Sequence, residues 1–563
     1  MAQRQRRTKL KDRRGRNRRN EFYSAERLLT LLLGVMLLLV MGVYVRFFTD
    51  LLSQPKSSVI ADSSKSSLKM LSLRTGLQKT KISPPHLFPE FPVLPPFTPV
   101  ENSEHLVKET LDGKPTVAGI MAILQNFLAD LHHTNYWVAE GNGPTSIRGV
   151  IRTYFDLAER HIGPLERFYS GRSIFPIRDD DSIFMSFAAY REYLLAETLF
   201  EAFGNAANPE KLFIGAVIQQ CFGKVDADGN IDKSGKPCMT GVEVVGKNAQ
   251  GRDMTRVSNK LPDNDEMEEF CSHPNFGKYC KTGQIRVLYV HETESLGPAV
   301  ARYHASRLWG GETYFIQTDS HLKFAKSWDI KYIAELRAAQ NYPKAVLSSY
   351  PPGFNPANHA AVKETRGARL CSCAFSNSEI EKDILRINVS GSYRGNETEP
   401  RQIPFIAAGF FFARAEFLVD VPFDPYMPWC FMGEEIALSI RAWTSGWNIY
   451  APRKNLIAHQ YRPGKMGLPK FWETVHRLYK DIPGVNNNSL QGKVIDRVKN
   501  LVGYLSSTTE KIEASGFGLI LKDQKHFGLG KERTLEEYLD WADIDVKKKR
   551  CNHISWCENA SLL

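Results

Sequence analysis

The sequence predicts an α/β fold with a mostly parallel sheet, standing behind an N-terminal transmembrane helix and an extended stem. Three observations carry this reading. Apolar runs of five to eight residues recur between about 182 and 318, the length of buried strands. Stretches of helical periodicity separate them, which gives the strand–helix–strand spacing of a parallel sheet. Ahead of both lies an uncharged apolar run long enough to cross a bilayer, followed by a Ser-, Lys- and Pro-rich segment.

The first element is a basic tail, residues 1–27. Residues 1–19 hold ten Arg or Lys against Asp12 alone, so nine of the eleven net positive charges sit there. The remainder of the chain is nearly neutral, which argues against nucleic acid as its partner. Leu28–Val45 carries no charge, and with Phe47 and Phe48 it completes a span at 28–48. A cleaved signal peptide has a shorter apolar core and a small-residue cleavage site; here bulky Arg46-Phe47-Phe48 follows, so an uncleaved signal anchor is expected. The basic flank places the N-terminus in the cytosol and the body in a lumen, a single-pass type II arrangement.

Residues 49–100 end in a proline-dense run, Pro84 to Pro96, which predicts an extended stem without a core of its own. From 101 to 180, apolar spacing at Ile120, Ile123, Leu124, Phe127 and Leu131 predicts a helical lead-in. The body is expected over 181–545. It opens with a strand at Ser182–Phe187, a helix over about 192–204 and a second strand at Lys211–Ile218, together one βαβ unit. A polar insertion follows at 223–283, then a strand at Ile285–Val290, a helix at 297–309 and a strand at Tyr314–Thr318. Phe405–Ala413 reads as a further strand, with Ala407-Ala408-Gly409 at its middle allowing close approach of backbone or ligand. Neither G-x-G-x-x-G nor G-x-x-x-x-G-K-[ST] is present, so dinucleotide and P-loop chemistry lack support. Residues 546–563 form a short tail containing cysteines.

All nine cysteines lie beyond the anchor, in a compartment that permits disulfides. The expected local loops are Cys221/Cys238, Cys271/Cys280 and Cys551/Cys557, and the odd count leaves at least one thiol over. A zinc site from Cys271, His273 and Cys280 is the alternative, but its spacing matches no common template. Four N-x-S/T sequons, at Asn388, Asn396, Asn487 and Asn559, agree with secretory passage.

The strand at Tyr314–Thr318 delivers Asp319-Ser320-His321, a carboxylate and an imidazole two residues apart. On an extended segment both point to one side, at the carboxyl edge of a sheet, where they could share a divalent cation. Farther along, Tyr350-Pro351-Pro352-Gly353 marks a rigid turn, and Gly433-Glu434-Glu435 opens a helix. Taken alone, two acids at a helix start complement its dipole. His459, on an apolar background, reads by itself as a core histidine.

In order, these segments resemble a family. Ser186-Phe187-Ala188-Ala189-Tyr190-Arg191-Glu192, Gly297–Arg302, Trp309–His321, Tyr350–Gly353, Ala408–Phe412, Gly433–Ile436 and Phe527–Leu535 are similar to motifs of the GlcNAc-transferase family. That family contains the protein-hydroxyproline and mucin-type polypeptide α-N-acetylglucosaminyltransferases. The resemblance runs from about 182 to 545, with one departure, Glu192 where Asp is expected.

The resemblance implies a GT-A fold, UDP-GlcNAc as donor, Mn²⁺ or another divalent cation, and retention of the α-anomeric configuration. It implies Asp319, His321 and His459 as metal ligands. It assigns Tyr190, Arg191, Arg302 and Asp319 to the nucleotide and its phosphates, and one of Glu434 and Glu435 to sugar hydroxyls, without saying which. It also implies a Golgi membrane location and a protein or glycoprotein acceptor, through a Ser/Thr or hydroxyproline hydroxyl. A glycan acceptor, another UDP-sugar, a metal-dependent hydrolase and a non-catalytic lumenal carbohydrate-binding protein are the competing readings.

Overall fold

A computed structural model describes residues 107–108 and 115–558, apart from 222–223, 226–230, 233–241, 248–252, 258–262, 355–360, 380, 394–396, 462–466 and 552. The chain divides into two units, 1–82 and 83–563, and every described residue belongs to the second. The expected tail, anchor and stem therefore lie outside the described residues. Among the described residues, no helix is long and apolar enough to cross a membrane.

Two helices lead in, α1 (Val117–Ala139) and α2 (Ile147–Tyr169). Thr116 and Ser146 cap them, each side chain accepting from a backbone N–H in the first turn (3.1 and 3.2 Å). The periodic residues Ile120, Ile123, Leu124, Phe127 and Leu131 are all buried. The sheet unit follows: β1 (Ile183–Tyr190), α3 (Leu195–Asn205), β2 (Leu212–Gln220), β3 (Ile285–His291), α4 (Pro298–Ser306) and β4 (Tyr314–Thr318). Next come β5 (Leu322–Phe324), β6 (Ala345–Ser348), β7 (Ser372–Phe375), β8 (Leu385–Asn388), β9 (Arg401–Gln402) and β10 (Phe410–Arg414). Then follow α5 (Glu434–Thr444), β11 (Asn448–Ala451), β12 (Ile457–His459) and α6 (Gly467–Tyr479).

Eight strands form one sheet in the order β9-β11-β6-β10-β4-β1-β2-β3. β1 runs parallel to β2 and β4, β2 to β3 and β6 to β11, whereas β10 is antiparallel to both β4 and β6. The sheet is thus mixed and mostly parallel. Side chains alternate faces along β1. Ile183, Met185 and Phe187 pack with Leu199 of α3 on one face, and Phe184 packs with Phe315, Tyr303 and Leu308 on the other.

The lead-in docks on this second face through charge as well as apolar surface. Glu166 of α2 is fully enclosed; it accepts from the Tyr303 hydroxyl (2.5 Å) and from Nε and Nη2 of Arg307 (2.8 and 2.6 Å).

Three expectations change. The strand predicted over Phe405–Ala413 begins only at Phe410. Before it, the N–H groups of Ile406 and Ala408 donate to Ser439 Oγ and Glu435 Oε1 of α5 (2.8 and 3.0 Å), so they are withheld from the ladder. The helix predicted from about 192 starts at Leu195, because Glu192 turns its carboxylate onto the N–H groups of Tyr193 and Leu194 (2.9 and 3.0 Å). The third change concerns the cysteines. Cys271–Cys280 is the expected local disulfide, and it removes those two sulfurs from any zinc site. Cys551 and Cys557 do not pair with each other; they join Cys373 and Cys371. The tail lies beside β7, with Ser372 bridging His553, so the facing cysteines stand across strands rather than along the chain. Cys221 is disulfide-bonded, while its expected partner Cys238 lies outside the described residues. Cys430 is free and buried.

Candidate active site

Asp319 follows directly on β4, whose neighbours are β1 and β10. Its N–H donates to the Gly409 carbonyl (3.3 Å). A Cβ added at Gly409 would stand 3.0 Å from Asp319 Oδ2, so the glycine lets the carboxylate lie against the incoming strand. Thr198 of α3 clamps the next turn, its hydroxyl donating to the Ser320 carbonyl and accepting from the Leu322 N–H (3.0 Å each). His459 ends β12. Its N–H donates to the Pro352 carbonyl (2.9 Å), its carbonyl accepts from Phe354, and the Gln460 N–H donates to the His321 carbonyl (3.0 Å). The proline turn therefore braces one imidazole, and the backbone link ties it to the other.

These elements bring Asp319, His321 and His459 together, with one potential ligand atom from each lying within 4.8 Å of the others. The two imidazole rings are 4.7 Å apart. His459 Nε2 meets Asp319 Oδ2 at 2.9 Å, and His321 Nδ1 meets Glu192 Oε2 at 2.8 Å. His459 Nδ1 is buried and has no hydrogen-bond partner among the described residues. One carboxylate oxygen and two imidazole nitrogens at this spacing fit a divalent cation such as Mn²⁺. Burial by itself would raise the Asp319 carboxyl. The His459 hydrogen bond and the charges of Arg302, His459 and His321 outweigh it and hold the group well below the usual carboxylate range. Burial likewise works against a charged His321, but the hydrogen bond to Glu192 and the Asp319 charge keep it above its ordinary value.

Arg302, on α4, reaches the same place. Its Nη2 donates to Asp319 Oδ1 (3.0 Å) and its Nη1 to Glu434 Oε2. Glu434 opens α5 after Gly433, whose φ of +96° suits glycine. The two adjacent acids separate here. Glu434 turns into the site, its second oxygen buried and unpartnered among the described residues. Glu435 is tied to the scaffold, accepting from the Tyr350 hydroxyl (2.7 Å) and the Ala408 N–H (3.0 Å). Burial raises both carboxyls, opposed by Arg302 at Glu434 and by the Tyr350 and Ala408 hydrogen bonds at Glu435.

Tyr190 ends β1 half-buried, edge-on to Phe471 of α6 (5.7 Å), with its hydroxyl 3.3 Å from Thr474 Oγ1. Arg191 points inward: its guanidinium is enclosed between Asp263 (2.7 Å) and Glu292 (3.1 Å). Sequence reasoning missed Tyr461, whose ring lies tilted against His459 with centroids 4.2 Å apart and whose hydroxyl donates to the Pro351 carbonyl (2.8 Å). The signal was available, since Tyr461 stands two residues beyond His459. A second group with metal-ligand potential, Cys221, His291 and Glu292, is discounted because Cys221 is in a disulfide.

The profile of the glycosyltransferase (GlcNAc) family matches residues 182–548. The chain is a member of that family, and hence a glycosyltransferase. No curated protein matches it significantly. Among solved structures, it is similar to GalNAc-T7 with UDP, GalNAc and Mn²⁺ at 13% identity and a TM-score of 0.38, covering 65% of this chain and 58% of that one. The chain thus spans less than two thirds of the GalNAc-T7 chain. It is also similar to S. aureus TarS 1–349 in complex with UDP-GlcNAc, at 14% identity and a TM-score of 0.27, covering 60% and 79%. Membership rests on the family profile, not on these superpositions.

Proposed function

We propose that the protein is a metal-dependent, retaining transferase of the GT-A type that moves GlcNAc from UDP-GlcNAc to a Ser/Thr or hydroxyproline hydroxyl of a protein acceptor. In this reading a type II anchor holds it in the Golgi membrane with the body in the lumen. The observation that carries the reading is the convergence of Asp319, His321 and His459 beside the Arg302–Glu434 pair. A divalent cation held by the three would supply Lewis-acid stabilisation of a departing diphosphate. The protein's own groups do the rest. Arg302 orients two carboxylates at once, as a planar fork can. Glu434 keeps one buried oxygen for a sugar hydroxyl, and Tyr190 borders the base. The family membership supports a GlcNAc donor, and the basic flank with its apolar run supports the topology.

The test uses the full-length protein in detergent with UDP-GlcNAc, Mn²⁺ and peptides bearing Thr or hydroxyproline. Slow UDP release abolished by EDTA is expected, with one N-acetylhexosamine added to a peptide by mass. Absence of both UDP release and donor binding would sink the proposal.

A further inference from the structure

Glu192 is committed twice. One oxygen accepts from the Tyr193 and Leu194 N–H groups in the turn just ahead of α3, and the other meets His321 Nδ1 at 2.8 Å. Its side chain is almost entirely buried, and His321 is little more exposed (8% and 16%). A carboxylate in this setting accepts, so the neutral ring keeps its proton on Nδ1 and offers the Nε2 lone pair to another partner. Metal-bound histidines are commonly held in this way, the far nitrogen donating to a carboxylate that fixes tautomer and ring orientation.

The turn that delivers Glu192 is itself locked. Arg191 has φ +47°, a conformation a non-glycine residue adopts only when its surroundings impose it. The surroundings are visible. The Arg191 N–H donates to the Gln219 carbonyl (2.8 Å), and its guanidinium is pinned by Asp263 and Glu292. Thr198, one turn into α3, grips the backbone on both sides of His321. Backbone and side chain of the histidine are thus both fixed from the β1–α3 connection.

We propose that Glu192 is a positioning residue for the metal, presenting His321 Nε2 toward Asp319 and His459, and that Arg191 holds the turn that makes this possible. The inference rests on the metal reading above. It also accounts for glutamate at this position, since the longer side chain reaches the imidazole while its other oxygen stays on the backbone of the turn ahead of α3.

The test is Mn²⁺ binding to the full-length protein in detergent, read from the electron paramagnetic resonance signal of free Mn²⁺. Wild type, Glu192→Gln, Glu192→Ala and, as the ligand-loss control, His321→Ala are compared. For Glu192→Gln the expected result is roughly 10- to 100-fold weaker Mn²⁺ binding, with an unchanged metal-free melting temperature. Raising Mn²⁺ then restores kcat, which damage to the fold would not allow. Wild-type affinity in both Glu192 variants would overturn the inference while leaving the metal reading in place. No Mn²⁺ binding by the wild type would overturn both.

Discussion

Arg302 joins Glu434 to Asp319, donating from one terminal nitrogen to each. Two acids that would otherwise repel across a buried site are thereby held side by side. Lysine cannot reproduce this, because a point charge lacks the fork. Arg302→Lys is expected to lower kcat with UDP-GlcNAc more than it lowers the melting temperature, measured by steady-state kinetics and thermal scanning. Near-normal turnover would show that the bridge is dispensable.

Glu434 and Glu435 are expected to part company on mutation. Glu434→Gln removes a charged acceptor whose second oxygen is unused by the scaffold, so kcat should fall by roughly 10- to 150-fold, the equivalent of about 1.5–3 kcal/mol. Glu435 takes both the Tyr350 hydroxyl and the Ala408 N–H on the single oxygen Oε1, which glutamine retains, so Glu435→Gln should leave kcat nearly unchanged, with any loss appearing in thermal stability. Single-turnover rates and melting curves of the two variants separate the roles.

The α1–α2 lead-in lies outside the family-matched residues, yet Glu166 binds it to Tyr303 and Arg307 of the body. Removing one member of a buried pair costs about 3–5 kcal/mol, so Glu166→Ala should shift the urea midpoint strongly downward. For the same reason a fragment beginning at 182 should fail to fold, which its circular dichroism would reveal.

Glu266 supplies a pH dependence. Burial pushes its carboxyl up to about 8, with Glu269, Glu192 and Asp265 adding to the effect and the Ala196 N–H opposing it. The folded state then holds a proton that the unfolded chain has released above about 4.5. Between these values the native state binds more protons, so this group's contribution falls as pH rises. Glu266→Gln should lack that loss. Its melting temperature relative to wild type is expected to be higher at pH 8 than at pH 5, and an equal difference at both would refute the assignment.

Sequons divide by accessibility. Asn388 is exposed at the end of β8, whereas Asn487 Nδ2 donates to the Trp472 carbonyl (2.8 Å). Expressed through a secretory pathway, the protein should lose an endoglycosidase-sensitive mass with Asn388→Gln and none with Asn487→Gln. Asn396 and Asn559 lie outside the described residues.

Much of this was legible in the chain. Strand lengths and spacing gave β1 to β4 almost residue by residue, because buried parallel strands are continuous apolar runs. The Asp319–His321 pair was readable from its spacing, and His459 only from resemblance. What stayed hidden depended on long-range geometry. Nothing local distinguishes Glu434 from Glu435 until Tyr350 and Ala408 claim the second. Arg191 next to Tyr190 invited a phosphate, and only the fold shows Asp263 and Glu292 around it. Cys551 and Cys557 looked like a loop until the tail was laid along β7.

Those last two crosslinks span 186 and 178 residues, so the C-terminal segment reaches back over a third of the chain. On the chain-entropy account, a closure of that length restricts the unfolded protein by roughly 5 kcal/mol. A reducing bacterial cytoplasm would deprive the protein of that restriction, and material made there should collect in inclusion bodies. Dithiothreitol, a routine additive in enzyme assays, would be an inactivator here, and trimming the last thirteen residues to tidy a terminus would remove both anchor points, Cys551 and Cys557, at once.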